Sequence, residues 1–385
     1  MRSLGLALAG LVSLTLFSGC DAAGPERTAT AEARAGNTQS YIVVLADEAP
    51  RGLERRLAAQ NAAEHVYSHV ARGFAAQLTA RAARALARNP HVERVEPDQV
   101  VVLGRPEGKG PSKSDPTPTP TPEMPAETLP AGVARVGGGV GTDRPDRVAC
   151  VLDTGIDLDH PDLTVSPDVA RGGLSRSFLK GRDGKTADDG HGHGTHVAGI
   201  IGAKIGNGGT VGVAPGATLV SIRVLDSGGN GSMSGILAGV DYAATVGCTV
   251  ANLSIGGGLS ESLDEAIVAA ASPRLLFAIA AGNSAADAMT SSPARAGSMS
   301  PYAFTISAVD GSDQFARFSN WGPAVRYAAP GVGVYSTYFG GGFRSMSGTS
   351  MAAPHAAGVL LLGSPQTRGT AAADPDGTAD PLISH

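Results

Sequence analysis

The hydrophobic pattern divides the chain into two folded regions joined by a polar segment. In residues 41–103, short apolar runs and stretches of helical periodicity follow the order strand, helix, strand, strand, helix, strand. This order is the split βαβ pattern of a small α+β domain of the ferredoxin-like type. We therefore predict a compact N-terminal domain that begins with the apolar run Tyr41–Leu45.

The second region, residues 131–362, alternates short apolar strands with helices. We predict strands over residues 147–153, 217–225, 249–255, 275–281, 303–309 and 324–329, and helices over residues 193–204, 233–246, 260–272 and 350–362. Strands and helices that alternate at this spacing form a mostly parallel sheet covered by helices on both faces. We therefore expect a doubly wound α/β domain whose functional site lies at the carboxyl ends of the strands.

The segments between and after these regions carry no core pattern. Residues 104–130 include the run Thr117–Pro122, in which Thr and Pro alternate. Such a run adopts polyproline II and acts as a spacer. Residues 20–40 are polar and rich in Ala, so we expect a flexible segment there. Residues 363–385 are also polar, and we expect them to form a surface tail.

Residues 1–19 have the pattern of an export signal. Arg2 precedes the apolar run Leu4–Phe17, which is too short for a comfortable membrane span. The sequence Phe-Ser-Gly-Cys that ends at Cys20 resembles a lipobox, the bacterial signal for lipid attachment to that cysteine. A plain signal peptide with an incidental cysteine is the alternative. We expect a secreted or cell-envelope protein that is attached to a membrane only if Cys20 is lipidated.

Composition narrows the classes of function. A net charge of −5 gives no reason to expect nucleic acid as a partner. The 53 glycines and the 4% aromatic content indicate tight loops and close backbone packing, as in α/β enzymes.

Two cysteines, Cys150 and Cys248, fall among the predicted buried strands. Export would allow them to pair, but buried free thiols are the commoner outcome, so we expect free thiols and keep a disulfide as the alternative.

Three segments carry candidate catalytic chemistry. Asp153 ends an apolar strand, His193 lies in a Gly-rich loop that enters a helix, and Ser350 lies in another loop that enters a helix. Serine is a poor nucleophile unless a base accepts its proton, and the base needs a carboxylate to orient it. The unpaired backbone N–H groups at the start of the helix of Ser350 would face any negative charge that forms there.

The three segments resemble the subtilisin family of serine proteases almost letter for letter. They read Val-Leu-Asp-Thr-Gly-Ile-Asp, Asp-Gly-His-Gly-His-Gly-Thr-His and Ser-Gly-Thr-Ser-Met-Ala-Ala-Pro-His, in the chain order Asp, His, Ser of that family. The likeness covers residues 131–362 and is closer to the proteinase K and aqualysin branch. It implies an endopeptidase in which Ser350 is the nucleophile, His193 is the general base and Asp153 orients the imidazole of His193.

Two further histidines compete for the role of the base. The family motif places the base directly before Gly-Thr-His, which selects His193 over His191 and His196. We expect His196 to pack beneath its helix and His191 to be solvated.

The resemblance also implies an oxyanion donor and two substrate-binding edges. The side-chain amide of Asn283, at the end of the strand-turn sequence Ala-Ala-Gly-Asn, would stabilise the oxyanion; a plain turn asparagine is the alternative. The implied substrate-binding residues are Ser254, Ile255 and Gly256 on one edge, Gly229, Asn230 and Gly231 on the other, and Met233 above a more distant subsite. Because no acidic residue is obvious in these segments, we expect broad specificity with an apolar preference.

Two kinds of metal site, for zinc and for calcium, can be weighed from the sequence. A zinc site built from Asp188, Asp189, His191, His193 and His196 would take His193 from the serine and leave Ser350 and Asn283 unexplained, so we do not favour it. The resemblance implies no cofactor for catalysis but a structural calcium ion at Asp162, with carbonyl oxygens from residues 205–209. Arg326 stands where relatives often have an aspartate for another calcium ion, so we do not expect that second site.

The N-terminal domain resembles the inhibitor-type propeptide of the same family. The resemblance lies in Tyr41–Leu45, Gly73–Ala75 and Val95–Asp98. It implies a segment that assists folding and inhibits its own enzyme until it is cut. We expect self-cleavage between Val102 and Glu107, which would leave the linker as the mature N-terminus.

Two other classes of function fit the sequence less well. A subtilisin-like scaffold that only binds would normally lack a catalytic group, and all four are present here. A serine esterase of the α/β-hydrolase kind would need Gly-x-Ser-x-Gly and a histidine after the serine, whereas Ser350 lies in Gly-Thr-Ser-Met-Ala and His193 precedes it.

Overall fold

The computed structural model describes residues 37–103, 124–141, 145–363 and 365–385. The predicted signal segment, residues 20–36 of the expected flexible segment 20–40 and residues 104–123 of the linker lie outside these residues. The expectation of a flexible segment was wrong for Thr38–Ser40, which pair as the start of the first strand. No helix in the described ranges is long and apolar enough to cross a bilayer.

The N-terminal region forms a four-stranded sheet in the order β2-β3-β1-β4, with two helices packed on it. Its elements are β1 (Thr38–Leu45), α1 (Leu53–Gln60), β2 (His65–Tyr67), β3 (Gly73–Thr79), α2 (Ala80–Leu86) and β4 (Val92–Pro97). Strand order along the chain agrees with the predicted α+β domain. Val43 and Leu45 pack under the domain's own helices, whereas Ile42 and Val44 pack into the core of the second region. Burial on both faces explains why the second half of this strand, Tyr41–Leu45, is apolar.

The second region contains one nine-stranded sheet in the order β16-β17-β13-β12-β11-β10-β6-β8-β7. Neighbouring strands are parallel except for β16, which is antiparallel to β17. The strands are β6 (Val148–Asp153), β7 (Arg176–Ser177), β8 (Thr218–Arg223), β10 (Val250–Leu253), β11 (Leu276–Ala280), β12 (Ala303–Val309), β13 (Val325–Pro330), β16 (Gln366–Thr370) and β17 (Pro381–Ser384). The predicted mostly parallel α/β sheet is confirmed.

Helices cover both faces of this sheet. They are α3 (Ala131–Arg135), α4 (His193–Gly202), α5 (Met233–Ala243), α6 (Glu261–Ala270) and α7 (Thr349–Leu362), with short 3₁₀ turns at Val169–Arg171, Asp183–Lys185, Ala288–Thr290 and Ala294–Ser298. Helices α4 and α7 share one hydrophobic core with Val151 of β6, and α5 and α6 share the other with Leu152. Adjacent residues of β6 therefore face opposite layers, as a strand buried on both faces requires.

Two smaller sheets complete the structure. Strand β5 (Val100–Val102) pairs with β9 (Asn230–Ser232), and β14 (Val334–Tyr338) forms a hairpin with β15 (Gly342–Met346).

The C-terminal segment differs from the expected surface tail. Strand β17 lies parallel to β13, with Leu382 beside Ala328, and both Leu382 and Ile383 are buried. Asp380 is also buried and accepts a hydrogen bond from Ser307 Oγ at 2.6 Å. The expectation was wrong for these residues because a strand of four residues is too short to show periodicity, and the open edge of β13 provides its pairing partner.

The expectation of free thiols was also wrong. A disulfide joins Cys150 in β6 to Cys248, with a Cα–Cα distance of 5.8 Å, which is within the usual range. Cys248 lies two residues before β10, and Val250 of that strand pairs with Ala149 of β6. Strand pairing therefore brings together two cysteines that are 98 residues apart in the chain.

Candidate active site

A buried carboxylate and an imidazole meet at the carboxyl end of β6. Asp153, the last residue of that strand, is fully buried, and its Oδ1 lies 2.7 Å from Nδ1 of His193, the first residue of α4. The same oxygen accepts a hydrogen bond from the backbone N–H of Thr154 at 2.7 Å. Before His193, Gly192 has φ 101° and lies against the rings of Tyr338 and Phe339, so a side chain would fit neither its conformation nor its space.

The electrostatic surroundings favour a charged His193. Burial alone opposes protonation, but the charge and hydrogen bond of Asp153, with a smaller contribution from Asp189, outweigh it and raise the pKa of His193 above the ordinary 6.5. Since Nδ1 is engaged by Asp153, Nε2 is the nitrogen left to exchange a proton with a reacting group.

The other two histidines of this segment have different surroundings. His196 is buried beneath its helix, as predicted, with Nε2 at 3.1 Å from the carbonyl oxygen of Val334 and 3.0 Å from that of Arg344. Burial lowers the pKa of His196 to about 3. His191 is half-buried instead of solvated: its ring centroid lies 6.4 Å from that of His193, and burial lowers its pKa.

Ser350 is the second residue of α7 and is half-buried. Its hydroxyl donates to the carbonyl oxygen of Ser254 at 3.0 Å. Within the described ranges it makes no hydrogen bond with His193. Catalytic hydrogen bonds are often long or misdirected before substrate binds, so this geometry does not by itself exclude the serine as a nucleophile.

Asn283 is oriented by the helix start that carries Ser350. Its Oδ1 accepts hydrogen bonds from the backbone N–H and the hydroxyl of Thr349, both at 2.9 Å. No acceptor for its Nδ2 lies among the described residues, and Asn283 lines the same cavity as Ser350.

Asn320 holds the loop of Asn283 and was not singled out from the sequence. Its Oδ1 accepts from the backbone N–H groups of Ser284 and Ala286 at 2.9 and 3.2 Å, and its Nδ2 donates to the carbonyl oxygen of Ala281 at 2.9 Å. The side chain of Asn320 also fills the space in which Gly282, at φ 106°, would place a Cβ atom. A lone asparagine in a loop gives no periodic signal, so only the fold reveals this role.

A cavity of about 290 Å³ opens beside these groups. Among the described residues, its lining includes no charged side chain. The lining comprises Val102, Leu103, Ser254–Gly257, Ala280–Ser284, Ser291, Ala294, Asn320, Thr349 and Ser350. The predicted edge Ser254, Ile255 and Gly256 is therefore part of the wall.

The opposite edge binds the end of the N-terminal region. Strand β5 is antiparallel to β9, with Val101 opposite Gly231 and Val102 opposite Asn230, and the N–H of Leu103 donates to the carbonyl oxygen of Gly229 at 2.9 Å. The side chain of Val101 is 1% exposed. It packs in one cluster with Met233 and Ile255, so this end of the chain occupies the groove beside the cavity.

Acidic residues of the N-terminal domain cap two helices of the second region. Asp98 accepts from the N–H and the hydroxyl of Ser234 at the start of α5, at 3.0 and 2.6 Å. Glu96 accepts from the hydroxyl of Ser260 and the N–H of Ser262 at the start of α6, at 2.5 and 3.3 Å. Carboxylates at helix N-termini satisfy free N–H groups and complement the helix dipole.

A carboxylate of the second region binds the N-terminal domain in return. Asp241 accepts hydrogen bonds from three successive backbone N–H groups, those of Ser68, His69 and Val70, at 3.3, 2.8 and 2.9 Å.

Asp162 has the surroundings of a hard-cation ligand. It is fully buried, its Oδ2 accepts from the N–H of Thr210 at 3.2 Å, and burial raises its pKa to about 7. Its Oδ1 and the hydroxyl oxygen of Thr210 are both buried without a partner in the described part of the chain. Oxygen atoms of this kind fit calcium.

The zinc hypothesis has no support in the described ranges. They contain no group of three or more His, Cys, Asp or Glu side chains arranged to hold a metal ion. Arg326, the residue on which the expectation of no second calcium site rested, lies with its guanidinium 5.5 Å from the centre of the ring of Phe304.

The fold and the site together define a class. A parallel sheet whose carboxyl edge presents an aspartate–histidine pair and, beside a neutral cavity, a serine at a helix start is typical of serine hydrolases.

Comparisons with known proteins narrow this class. The sequence profile of the subtilase family matches residues 146–364, and that of the peptidase inhibitor I9 family matches residues 27–103. Alkaline serine protease ver112 of Corniculantispora psalliotae is 36% identical over 357 residues, covering 90% of this chain and 86% of that protein. The cuticle-degrading protease of Metarhizium anisopliae is 36% identical over 356 residues, covering 88% and 82%. The crystal structure of a cold adapted subtilisin-like serine proteinase matches with a TM-score of 0.54 at 35% identity, covering 66% of this chain and 96% of that one.

The chain belongs to the subtilase family. It is a serine protease of the hydrolase class with an inhibitor-type propeptide domain at its N-terminal side.

Proposed function

We propose that the protein is an exported endopeptidase in which Ser350 attacks a peptide carbonyl, His193 acts as general base and Asp153 orients the imidazole. The observation that carries this proposal is the buried 2.7 Å contact between Asp153 and Nδ1 of His193. Before attack, the hydroxyl of Ser350 must turn from the carbonyl of Ser254 towards Nε2 of His193.

The proposed reaction has two halves. Ser350 Oγ bonds to the carbonyl carbon while its proton passes to His193 Nε2, and the same proton then goes to the leaving amine as the peptide bond breaks. Water next attacks the acyl-enzyme with His193 again as base, and Ser350 regains its proton. In both halves the negative oxygen is stabilised by the Nδ2 amide of Asn283 and by the backbone N–H of Ser350. No step requires a cofactor.

We propose broad specificity with an apolar preference. Two features support it: the cavity lining among the described residues is uncharged, and the groove holds Val101 against Met233 and Ile255.

The N-terminal domain is proposed to keep the enzyme as a zymogen. It lays Val101 to Leu103 along β9 and into the cavity, where a substrate strand would bind. We propose that the enzyme cuts its own chain between Val102 and Glu107, after which the Thr-Pro segment becomes the mature N-terminus. Four of the bonds in that interval lie beyond Leu103 and thus outside the described residues.

A structural calcium ion is proposed at Asp162. The unpartnered oxygen atoms of Asp162 and Thr210 fit it, together with carbonyl oxygens of residues 205–209. The ion would tie this loop to Asp162 and take no part in the reaction.

The decisive experiment compares the wild-type precursor with Ser350→Ala. We expect the wild type to shorten itself and to digest casein, and the variant to stay full length and inactive. A wild type that neither shortens nor digests casein would refute the proposal.

Export and lipidation are tested on the same material. N-terminal sequencing of the released enzyme should give a start between residues 103 and 107. Mass spectrometry of the precursor from whole cells would show whether Cys20 carries a lipid.

A further inference from the structure

A proline in α7 leaves the carbonyl of the proposed nucleophile without its helical partner. In an α-helix the N–H of one residue donates to the carbonyl four residues earlier. Pro354 lies inside α7, has no N–H, and stands four residues after Ser350. The proline ring also crowds that carbonyl, so the oxygen of Ser350 needs a donor from outside the helix.

Ser254 provides that donor. Its hydroxyl donates to the carbonyl oxygen of Ser350 at 2.8 Å, and the hydroxyl of Ser350 donates to the carbonyl oxygen of Ser254 at 3.0 Å. The two residues are thus joined by a reciprocal pair of hydrogen bonds, and Ser254 is 1% exposed. Its side chain faces the nucleophile's backbone, which is a role separate from the substrate edge predicted from the sequence.

Asn252 determines the direction in which Ser254 donates. Asn252 lies in β10, and Ser254 directly follows that strand. Because side chains two residues apart in an extended chain point to the same side, the two side chains lie next to each other. Asn252 Nδ2 donates to Ser254 Oγ at 2.9 Å, so the single proton of that hydroxyl remains for the carbonyl of Ser350. Asn252 is fully buried, and its Oδ1 is without a hydrogen-bond partner among the described residues.

Keeping this asparagine is costly for stability. It sits in the middle of the parallel sheet, between Val151 and Ala278, where an aliphatic side chain would leave no unpaired oxygen. A buried polar group that costs stability and bonds next to the nucleophile indicates a functional constraint.

We infer that Asn252 and Ser254 are positioning residues for Ser350, acting in place of the hydrogen bond that Pro354 cannot make. They hold the backbone of Ser350 against the end of β10, and thereby place both its hydroxyl and its N–H at the cavity. The inference rests on the proposed role of Ser350 as nucleophile.

A double-mutant cycle with Pro354 tests this inference. Ser254→Ala removes the donor, and Pro354→Ala returns an N–H that can reach the carbonyl of Ser350 from within the helix. We expect Ser254→Ala to lower kcat by about 10- to 100-fold with KM changed by less than about twofold, since small misplacement of a reacting group has effects of this size. In the Pro354→Ala background the same change should cost at least about fivefold less in kcat.

The measurements use the full precursor. The single-turnover rate of self-processing reports the first cleavage. After processing, kcat and KM are measured for a peptide substrate. Variants that do not process themselves are first processed by a trace of wild-type enzyme. Ser307→Ala is the matched control: it removes a buried serine hydroxyl that bonds to Asp380 outside the site, and it should lower the melting temperature without lowering kcat.

The possible results separate the alternatives. An equal loss in both Pro354 backgrounds, or a loss confined to KM, would overturn the inference and leave Ser254 as a substrate edge only. If Ser254→Ala does not fold, Asn252→Leu is measured instead, and it should lower kcat without raising KM; an unchanged kcat would overturn the inference. An inactive wild type would instead refute the proposed function.

Discussion

The carboxylate of Asp98 holds the start of helix α5 through Ser234, accepting from its backbone N–H at 3.0 Å and from its hydroxyl at 2.6 Å. Asp98 belongs to the inhibitor-type domain and Ser234 to the protease domain, so this contact ties the two domains together at a helix next to the groove that holds Val101. It also places β5 in register, because Asp98 is only two residues before that strand.

Removing this cap should weaken inhibition. Asp98→Ala leaves the N–H of Ser234 without its acceptor, and loss of an N-cap costs about 0.5–2 kcal/mol. We expect the inhibition constant of the cleaved propeptide for its own enzyme to rise by about 2- to 30-fold. Asp47→Ala, which removes an exposed carboxylate of the same domain, is the control and should leave that constant unchanged. An equal effect of both variants would show that only net charge matters.

Activity should depend on the ionisation of His193. The base must be neutral to accept a proton, and Asp153 raises the pKa of His193 above 6.5. The value of kcat/KM should therefore be lost as pH falls through that raised pKa, and the acid limb of its pH profile should have a midpoint above 6.5. An acid limb with its midpoint near pH 4 would contradict the assignment of His193 as base.

Asp153→Asn tests the orienting role of the carboxylate. The variant keeps the shape of the side chain but removes the charge that stabilises the imidazolium, so we expect kcat to fall by about 10⁴-fold, the size of the effect of the same change in another serine protease. The measurement is kcat on a peptide substrate. A fall of less than about tenfold would mean that Asp153 does not orient the base.

Asn283→Leu should slow the reaction without weakening substrate binding. In the proposed mechanism the amide donates only to the oxyanion that forms during attack, so its loss should reduce kcat by about 10²–10³-fold, the size known for an oxyanion donor of subtilisin, a member of the same family. The comparison of kcat with KM checks it. A change that appears mainly in KM would place Asn283 in ground-state binding instead.

Calcium should stabilise the protein more at pH 8 than at pH 6. Burial raises the pKa of Asp162 from 3.8 to about 7, so without metal the native state keeps a proton that the unfolded chain has lost. This group therefore lowers stability as pH rises from about 4 to about 7, and calcium, which binds the ionised form, should remove that penalty. At calcium concentrations about 100 times Kd the gain is about 2.7 kcal/mol.

The calcium prediction is measured by thermal unfolding of the Ser350→Ala precursor, which cannot digest itself. Asp162→Asn in the same background is the control. It should lose most of the calcium response, yet be at least as stable as its parent in EDTA at pH 8, because no charge is then buried. A calcium response that survives this substitution would place the ion elsewhere.

Much of the fold could be predicted because its signals are local and repeated. The apolar strand that ends at Asp153 and the helix that begins near Ser350 both appear in the hydrophobic pattern. The tail strand did not, because Leu382 and Ile383 form a pair of apolar residues too short to show a period. The sequence favoured free thiols over the disulfide, because the pairing of Cys150 with Cys248 depends on which strands are neighbours in the sheet.

The sequence by itself determined the two-domain plan, the parallel α/β sheet and the candidate residues Asp153, His193, Ser350 and Asn283, because these are carried by periodicity and by motifs with fixed spacing. Only the tertiary structure decided which distant groups meet: Asp98 with Ser234, Asn320 with the loop of Asn283, and Asn252 with Ser254 and the carbonyl that Pro354 leaves free. The physical reason is that hydrogen bonds between segments far apart in the chain depend on packing in three dimensions, about which local pattern carries no information.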